Sequence, residues 1–435
     1  MLFSKMKGVH TPHRKHTAQM PAVRMPVPQT VTIPLSMHIG APAVCCVKVG
    51  DMVKVGQPIA TPGGFVSSPI HSSVSGKVTK IDDFLLSNGR TCQAVTIATD
   101  GEQSVWEEIA PPTVTDLASF IEAVKQSGVV GLGGAGFPTA VKFSIGEKPL
   151  DALVVNCAEC EPYITSDTRT MLDQTAQIIE EIALVKTYLN PARVILGVEA
   201  NKPECIAKLK TEVPSDVEVC VLPSVYPQGG EKVLLYHTLG RIVPEGKLPI
   251  DVGAIVINCT TLAFIASYMK TGMPLVEKTV TVDGAAVVHP QNVIVPIGTA
   301  MQDVFDFCGG FNQPPKKVLY GGPMMGVAVP STDLPVMKNT NAILALSAKE
   351  AYIPATTPCI RCGNCITHCP LKLNPQAISR AVESGNVEEL GRLKVNLCME
   401  CGCCSFICPA KRPLVQNNKL GKGMLAAAKA KEKKN

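Results

Sequence analysis

The chain has 435 residues, 46% of them hydrophobic and 18% charged, with a formal charge of +5. That length exceeds one compact core, so roughly two to four domains are expected, and the hydrophobic balance excludes wholesale disorder. Basic residues scattered without aromatic interleaving exclude a nucleic-acid footprint, while 18 cysteines and no secretory leader exclude a disulfide framework and point to metal or redox chemistry.

The opening run MLFSKMKGVHTPHRKH is basic but lacks the apolar core of a secretory signal, giving the expectation of a cytoplasmic protein. From Gly8 to about Thr99, short β-branched runs alternate with Gly and Pro, which reads as a small all-β unit, residues 1–110. Two pieces, VKVGDMVKVGQPIA and SPIHSSVSGKVTKI, resemble the halves of a biotinyl/lipoyl-type β-sandwich. No Met-Lys-Met or Asp-Lys hairpin offers a modifiable lysine, so a structural module is expected rather than a swinging arm.

After Pro111–Thr113, the stretch TDLASFIEAVKQSG places Leu117, Phe120, Ile121 and Val124 on one helical face, with Thr115 or Asp116 as cap and Gly128 as stop. The runs ALVVNC, RVILGVEA, VEVCVLP and AIVIN then alternate with helical segments, predicting a parallel, Rossmann-like sheet over residues 114–268. The most apolar run, Val252 to Met269, is broken by Asn258, Thr260 and Thr261, and reads as a buried strand followed by a helix rather than a membrane span. Residues 269–335 carry short strands, one helix and Gly-Pro turns, a small α+β module.

The chemistry concentrates in residues 347–415. CIRCGNCITHCP and CMECGCCSFICP both have the C-x2-C-x2-C-x3-C-P spacing of bacterial two-cluster [4Fe-4S] proteins, in which the fourth cysteine ligates the other cluster. One cluster is thus expected on Cys359, Cys362, Cys365 and Cys408, and the other on Cys369, Cys398, Cys401 and Cys404. Zinc would need only two such pairs. Cys403 is off register and reads as a packing residue; Cys157 and Cys160 form a C-x-x-C without a partner pair, read as structural, as are His237 and His368. The basic tail, residues 416–435, reads as a solvated or frayed helix, with docking or lipid contact as the alternative.

Between Gly128 and Phe143 lies GVVGLGGAGFPTAVKF, whose Gly131, Gly133 and Gly136 have the G-x-G-x-x-G spacing of a dinucleotide loop. Only VV precedes it, so the fit to an ordinary dehydrogenase is imperfect, and a simple tight turn is the alternative. Lys142 follows the loop and could meet a phosphate, while NCAECEP supplies Asn156, Glu159 and Glu161 at the carboxyl end of a strand, where open α/β sheets bind ligands. Nicotinamide delivers two electrons and each cluster takes one, so a chain joining them needs a converter such as a flavin.

Together, GLGGAGFPTAVKF, VVNCAECEP, YPQGGEK and VINCTTLA resemble the NADH- and FMN-binding subunit of respiratory complex I. With GVHTPHRKHT near its start and YGGPMMG before the cysteines, nearly all of residues 1–413 is similar to the C subunits of Rnf complexes, membrane assemblies that couple ferredoxin–NAD electron transfer to sodium or proton translocation. The resemblance implies a multidomain α/β protein: a β-sandwich, a Rossmann-like FMN/NADH domain, a β-grasp module and an α-helical two-[4Fe-4S] ferredoxin domain. It implies non-covalent FMN, two [4Fe-4S] clusters, NAD(H) as substrate, partner subunits including a ferredoxin-like one, and a peripheral position on the cytoplasmic side of a membrane without a transmembrane helix.

Carried over by position, Gly131, Gly133, Gly134, Ala135, Gly136 and Phe137 would line the nucleotide and flavin. Lys142 would meet the FMN phosphate, Asn156 and Glu159 the flavin, and Glu161 the NAD. Tyr226, Gly229, Gly230 and Glu231 match the loop that follows, and Asn258 with Thr261 a polar turn over FMN. Two departures stand out: Ala158 where complex I has Asp, and Gly230 in place of the first Glu of its acidic pair. Structural alternatives stay open: Phe137 as core, Tyr226 and Asn258 as turn residues, Glu159 and Glu161 as caps of the next helix. The competing functional readings are a soluble flavin and iron-sulfur cobalamin reductase, in which the sandwich follows the clusters, and a scaffold with structural clusters.

Overall fold

The structure, a computed structural model, describes residues 7–432. The leader reading of the first six residues and the last three residues of the basic tail lie outside that range.

The first unit pairs Thr30–Pro34, Thr91–Thr99, Gly76–Leu85 and Met52–Val53 in one antiparallel sheet, and Val44–Cys45, Pro58–Thr61 and Ile70–His71 in another. Alternation drives it: Val31 and Ile33 from one strand and Val95 and Ile97 from its neighbour are fully buried, while residues between them face outward. Residues 8–25 form no strand of these two sheets. Val9 exchanges N–H···O bonds with Tyr226 at 2.8 and 2.9 Å, and Val23–Arg24 pairs in parallel with Gln291–Pro296. The opening segment thus straps the second unit to the third.

The second unit is a four-stranded parallel sheet in the order Val217–Leu222, Arg193–Glu199, Ala152–Cys157, Ala254–Asn258. The chain steps outward from Ala152–Cys157 in one direction and then returns to its other side with Ala254–Asn258. The crevice between those two strand ends is therefore the switch point of the sheet, where α/β folds hold ligands. Val252–Met269 is a strand and the start of the helix Cys259–Thr271, and among the described residues no helix is long and apolar enough to cross a membrane.

The third unit is a six-stranded mixed sheet, in which Ala342–Leu346 lies between Glu277–Asp283 and Lys317–Tyr320. This central strand is fully buried, so the module runs on past the expected boundary at residue 335. The fourth unit is helical. Its last helix, Leu414–Glu432, packs on Pro375–Glu383 and Val387–Arg392 and buries Leu414, Val415, Asn418, Gly421 and Leu425. Its first part is thus a wall of the cysteine-bearing unit: of the solvated or frayed helix expected over residues 416–435, the helix is present, and its first half is packed rather than solvated.

Candidate functional site

The glycine-rich loop sits between the helix Leu117–Gln126, capped by Asp116, and the short helix Thr139–Phe143, so it follows a helix rather than a strand. Its ends are tied by Gly131 N–H to Phe137 O at 2.8 Å and Gly136 N–H to Gly131 O at 3.0 Å. Gly134 has φ of +109°, and a Cβ on Gly133 would lie 2.8 Å from Asn258 Nδ2. Side chains are therefore excluded by backbone shape at one position and by the sheet edge at the other. Gly133, Gly134 and Ala135 are exposed, and among the described residues their N–H groups donate to no other protein group. Successive free N–H groups in a turn of this kind form an anion-binding concavity.

The loop leans on the switch point. Leu132 N–H donates to Thr261 Oγ1 at 3.0 Å, and Asn258 caps the helix Cys259–Thr271 while its Nδ2 donates to Asp167 at 2.7 Å. Asn156 stands in register beside Asn258 and donates to Gly229 O at 2.9 Å. The expected residues Gly131 to Gly136, Asn156, Gly229, Asn258 and Thr261 are thus brought to one crevice. Phe137 is half-buried beside them. Lys142 ion-pairs with Glu231 at 2.8 Å and donates to Val256 O at 2.9 Å, so these two candidates hold each other.

Glu159 and Glu161 are placed differently. Buried Glu159 accepts the Asp167 N–H at 2.6 Å and the Thr168 N–H at 3.3 Å, capping the helix Ser166–Asp173. Glu161 accepts the N–H groups of Met324 and Met325 at 3.0 and 2.7 Å, fastening the YGGPMMG hairpin to the second unit. Burial lifts the Glu161 carboxyl to about 6, against the pull of those two N–H groups.

Several functional neighbours carry no local sequence signal. Lys15 from the opening strap donates to Glu159 O and Glu161 O at 2.9 Å each, and to Ile164 O. Lys278 donates to Leu132 O at 2.7 Å, Lys338 to Gly128 O at 2.6 Å, Asn339 to Gly134 O at 3.2 Å and Asn341 to Gly133 O at 3.4 Å. Burial draws the ammonium of Lys278 down to about 8 and that of Lys338 to about 7.

In the fourth unit the cysteines ring two cavities, one lined by Cys359, Cys362, Cys365 and Cys408, the other by Cys369, Cys398, Cys401 and Cys404. Four soft thiols about each cavity fit an iron-sulfur cluster as donor set. The second cavity abuts the second unit: Cys403, also on its wall, places Sγ 3.8 Å from Tyr226 O, and Met399 lies against Gly230. Buried Cys403 packs with Val9, Tyr226 and Met324. The first cavity is outermost, with Cys359 and Cys362 exposed. Tyr226 and Gly230 thus form the seam between crevice and cluster unit.

Residues 3–102 match the RnfC barrel sandwich hybrid domain, 124–267 the Nuo51 FMN-binding domain, 279–328 the SLBB domain and 352–419 a 4Fe-4S dicluster domain. The C subunit of the proton-translocating ferredoxin:NAD(+) oxidoreductase complex of Clostridium ljungdahlii is 40% identical over 386 residues, covering 87% of this chain and 84% of that one. Its counterpart in the Na(+)-translocating complex of Acetobacterium woodii is 42% identical, covering 86% of each. The C subunit of the ion-translocating oxidoreductase complex of Rhodobacter capsulatus is 37% identical, covering 99% of this chain and 85% of that one. The fold also matches a chain of an NAD+-reducing [NiFe]-hydrogenase at TM-score 0.50 and 17% identity, over 71% of this chain and 63% of that one. Identity of this level along most of both chains means that this chain belongs to the family of C subunits of Rnf-type ion-translocating ferredoxin:NAD+ oxidoreductase complexes.

Proposed function

We propose that the chain is the NAD(H)-reacting subunit of such a complex, peripheral on the cytoplasmic side of the membrane, with the switch-point crevice as its FMN and NAD(H) site. Its second unit is then a Rossmann-like FMN/NADH domain, its third a β-grasp module and its fourth a helical ferredoxin domain. The observation that carries this reading is the seam at Tyr226 and Cys403, which joins the segment that Asn156 holds at Gly229 to a ring of four cysteines.

When bound, FMN supplies the exchange between two-electron hydride and one-electron steps, and the two [4Fe-4S] clusters supply the relay. The residues of the chain bind, orient and shield. The free N–H groups of Gly133, Gly134 and Ala135 bind a phosphate ester, and the missing side chains let it approach the backbone. Asn156 and Asn258 present amides at adjacent strand ends. Lys142 adds a positive charge partly balanced by Glu231. Glu159 and Glu161 act on the flavin and nucleotide through the turns they hold. Cys369, Cys398, Cys401 and Cys404 hold the inner cluster, and Cys359, Cys362, Cys365 and Cys408 the outer one that faces the partner subunits. No proton-abstracting side chain is required.

The test is an anaerobic absorption spectrum of the cluster-reconstituted protein before and after NADH, with iron and FMN assayed on the same sample. Bleaching at flavin and cluster wavelengths with one FMN and about eight iron atoms per chain is expected. Iron without flavin and no response to NADH would overturn the assignment.

A further inference from the structure

The carbonyl groups of the glycine-rich loop are held from behind by the third unit. Lys278, Lys338, Asn339 and Asn341 donate to Leu132, Gly128, Gly134 and Gly133 in turn. With its oxygens turned inward, the loop leaves the N–H groups of Gly133, Gly134 and Ala135 on the open side. Lys278 and Lys338 are buried, 4% and 0% exposed, and among the described residues neither forms an ion pair. Burying an ammonium is costly, Asp167 offsets part of that cost at Lys278 only, and an anion on the far side of the loop offsets more of it through a medium that screens poorly.

We propose that Lys278 and the segment Lys338–Asn341 are a positioning device: the third unit presets the glycine-rich loop for a phosphate ester and places two buried lysines behind it. The proposal rests on the crevice being the FMN and NAD(H) site. The segment does not touch the ligand. It acts by fixing carbonyl directions, since a peptide group that points its oxygen at a donor points its N–H the other way. The third unit is then a part of the cofactor site rather than a spacer between flavin and cluster domains.

The same chemistry serves an FMN phosphate and the pyrophosphate of NAD(H), so the test has arms for both. Asn339 and Asn341 are only partly buried, so a full-length Asn339→Ala/Asn341→Ala variant opens no core cavity. Flavin-stripped parent and variant are titrated with FMN, with riboflavin and with ADP-ribose, with iron content and melting midpoint measured alongside. The affinity for FMN, for ADP-ribose or for both should fall about tenfold, the worth of two hydrogen bonds. Affinity for riboflavin, which has no phosphate, should stay within about twofold, with iron and midpoint unchanged. Equal losses for FMN and riboflavin, a lowered midpoint accompanying the loss, or unchanged phosphate-ester affinity would each overturn the device. A parent chain that binds neither FMN nor ADP-ribose would instead overturn the site itself.

Discussion

The Lys142 ammonium lies 2.8 Å from the Glu231 carboxylate, joining the helix after the glycine-rich loop to the helix after Tyr226–Gly230. A phosphate entering the crevice meets this pair rather than a free lysine, and the carboxylate offsets part of the attraction. Lys142→Met should weaken FMN binding about tenfold, the loss of one charge-assisted contact. Glu231→Gln should tighten it about threefold, because the pair is half-exposed and its own coupling small. Flavin fluorescence titrations of the two variants and their double mutant check both signs. Weaker binding in Glu231→Gln would assign the carboxylate a direct contact instead.

Gly133→Ala tests the cradle. The new Cβ would fall 2.8 Å from Asn258 Nδ2, and that amide is held by Asp167 and by the helix it caps. The exposed loop is the softer partner and gives way, moving its free N–H groups. FMN affinity should drop about tenfold or more, whereas the cost to folding stays near 1 kcal/mol. Equilibrium dialysis with FMN, beside a melting curve and an iron assay, reads the two effects separately. Unchanged affinity would mean that the loop does not touch the flavin.

These two sites also mark what was legible in the sequence. Cysteine spacing, the glycine pattern and strand–helix alternation are local, written in residues close along the chain; the structure gathers the cysteines about two cavities and sets Asn156 beside Asn258. What sequence reading missed was long-range. The Val9–Tyr226 bridge spans more than two hundred positions, and polar residues such as Asn339 and Asn341 look like any turn before an apolar strand. Glu159 and Glu161 were readable as caps or as ligands, and only the fold put the first at a helix start and the second on the Met324–Met325 backbone. The last helix hid its role because Gly421, Gly423 and a run of Ala and Lys blur its buried stripe.

Glu181 is fully buried in the helix Thr175–Leu189, with neither carboxyl oxygen hydrogen-bonded. Burial raises its pKa well above the usual carboxylate range, so the folded chain keeps the proton. Above the unfolded value near 4.3 the unfolded state ionises and the folded state does not, so stability falls with rising pH by about 1.4 kcal/mol per unit until the folded group titrates. Glu181→Gln keeps the shape without that loss. Its melting midpoint should match the parent near pH 4 and exceed it by roughly 5 °C or more at pH 8. A pH-independent difference would mean that the carboxyl is ionised in the fold.

Asn418 connects the last helix to the inner cysteine ring, its Nδ2 donating to Cys398 Sγ at 3.4 Å. The Glu400 N–H reaches the same sulfur at 3.4 Å. Hydrogen bonds to cluster sulfurs stabilise the more negative, reduced state and so raise the potential. Asn418→Leu removes one of them and fills the same buried volume with apolar atoms. On the proposed assignment, the cluster of Cys369, Cys398, Cys401 and Cys404 should shift by about −40 mV, one hydrogen bond of about 1 kcal/mol expressed as a one-electron potential. The cluster in the other ring should not move, because none of its cysteines accepts from Asn418. A potentiometric titration followed by electron paramagnetic resonance separates the two signals. A shift confined to one cluster would also identify it: the signal that moves belongs to the ring packed against Tyr226, and the other to the exposed ring of Cys359 and Cys362. Equal shifts in both signals, or none, would sink the assignment of Asn418 as a tuning residue.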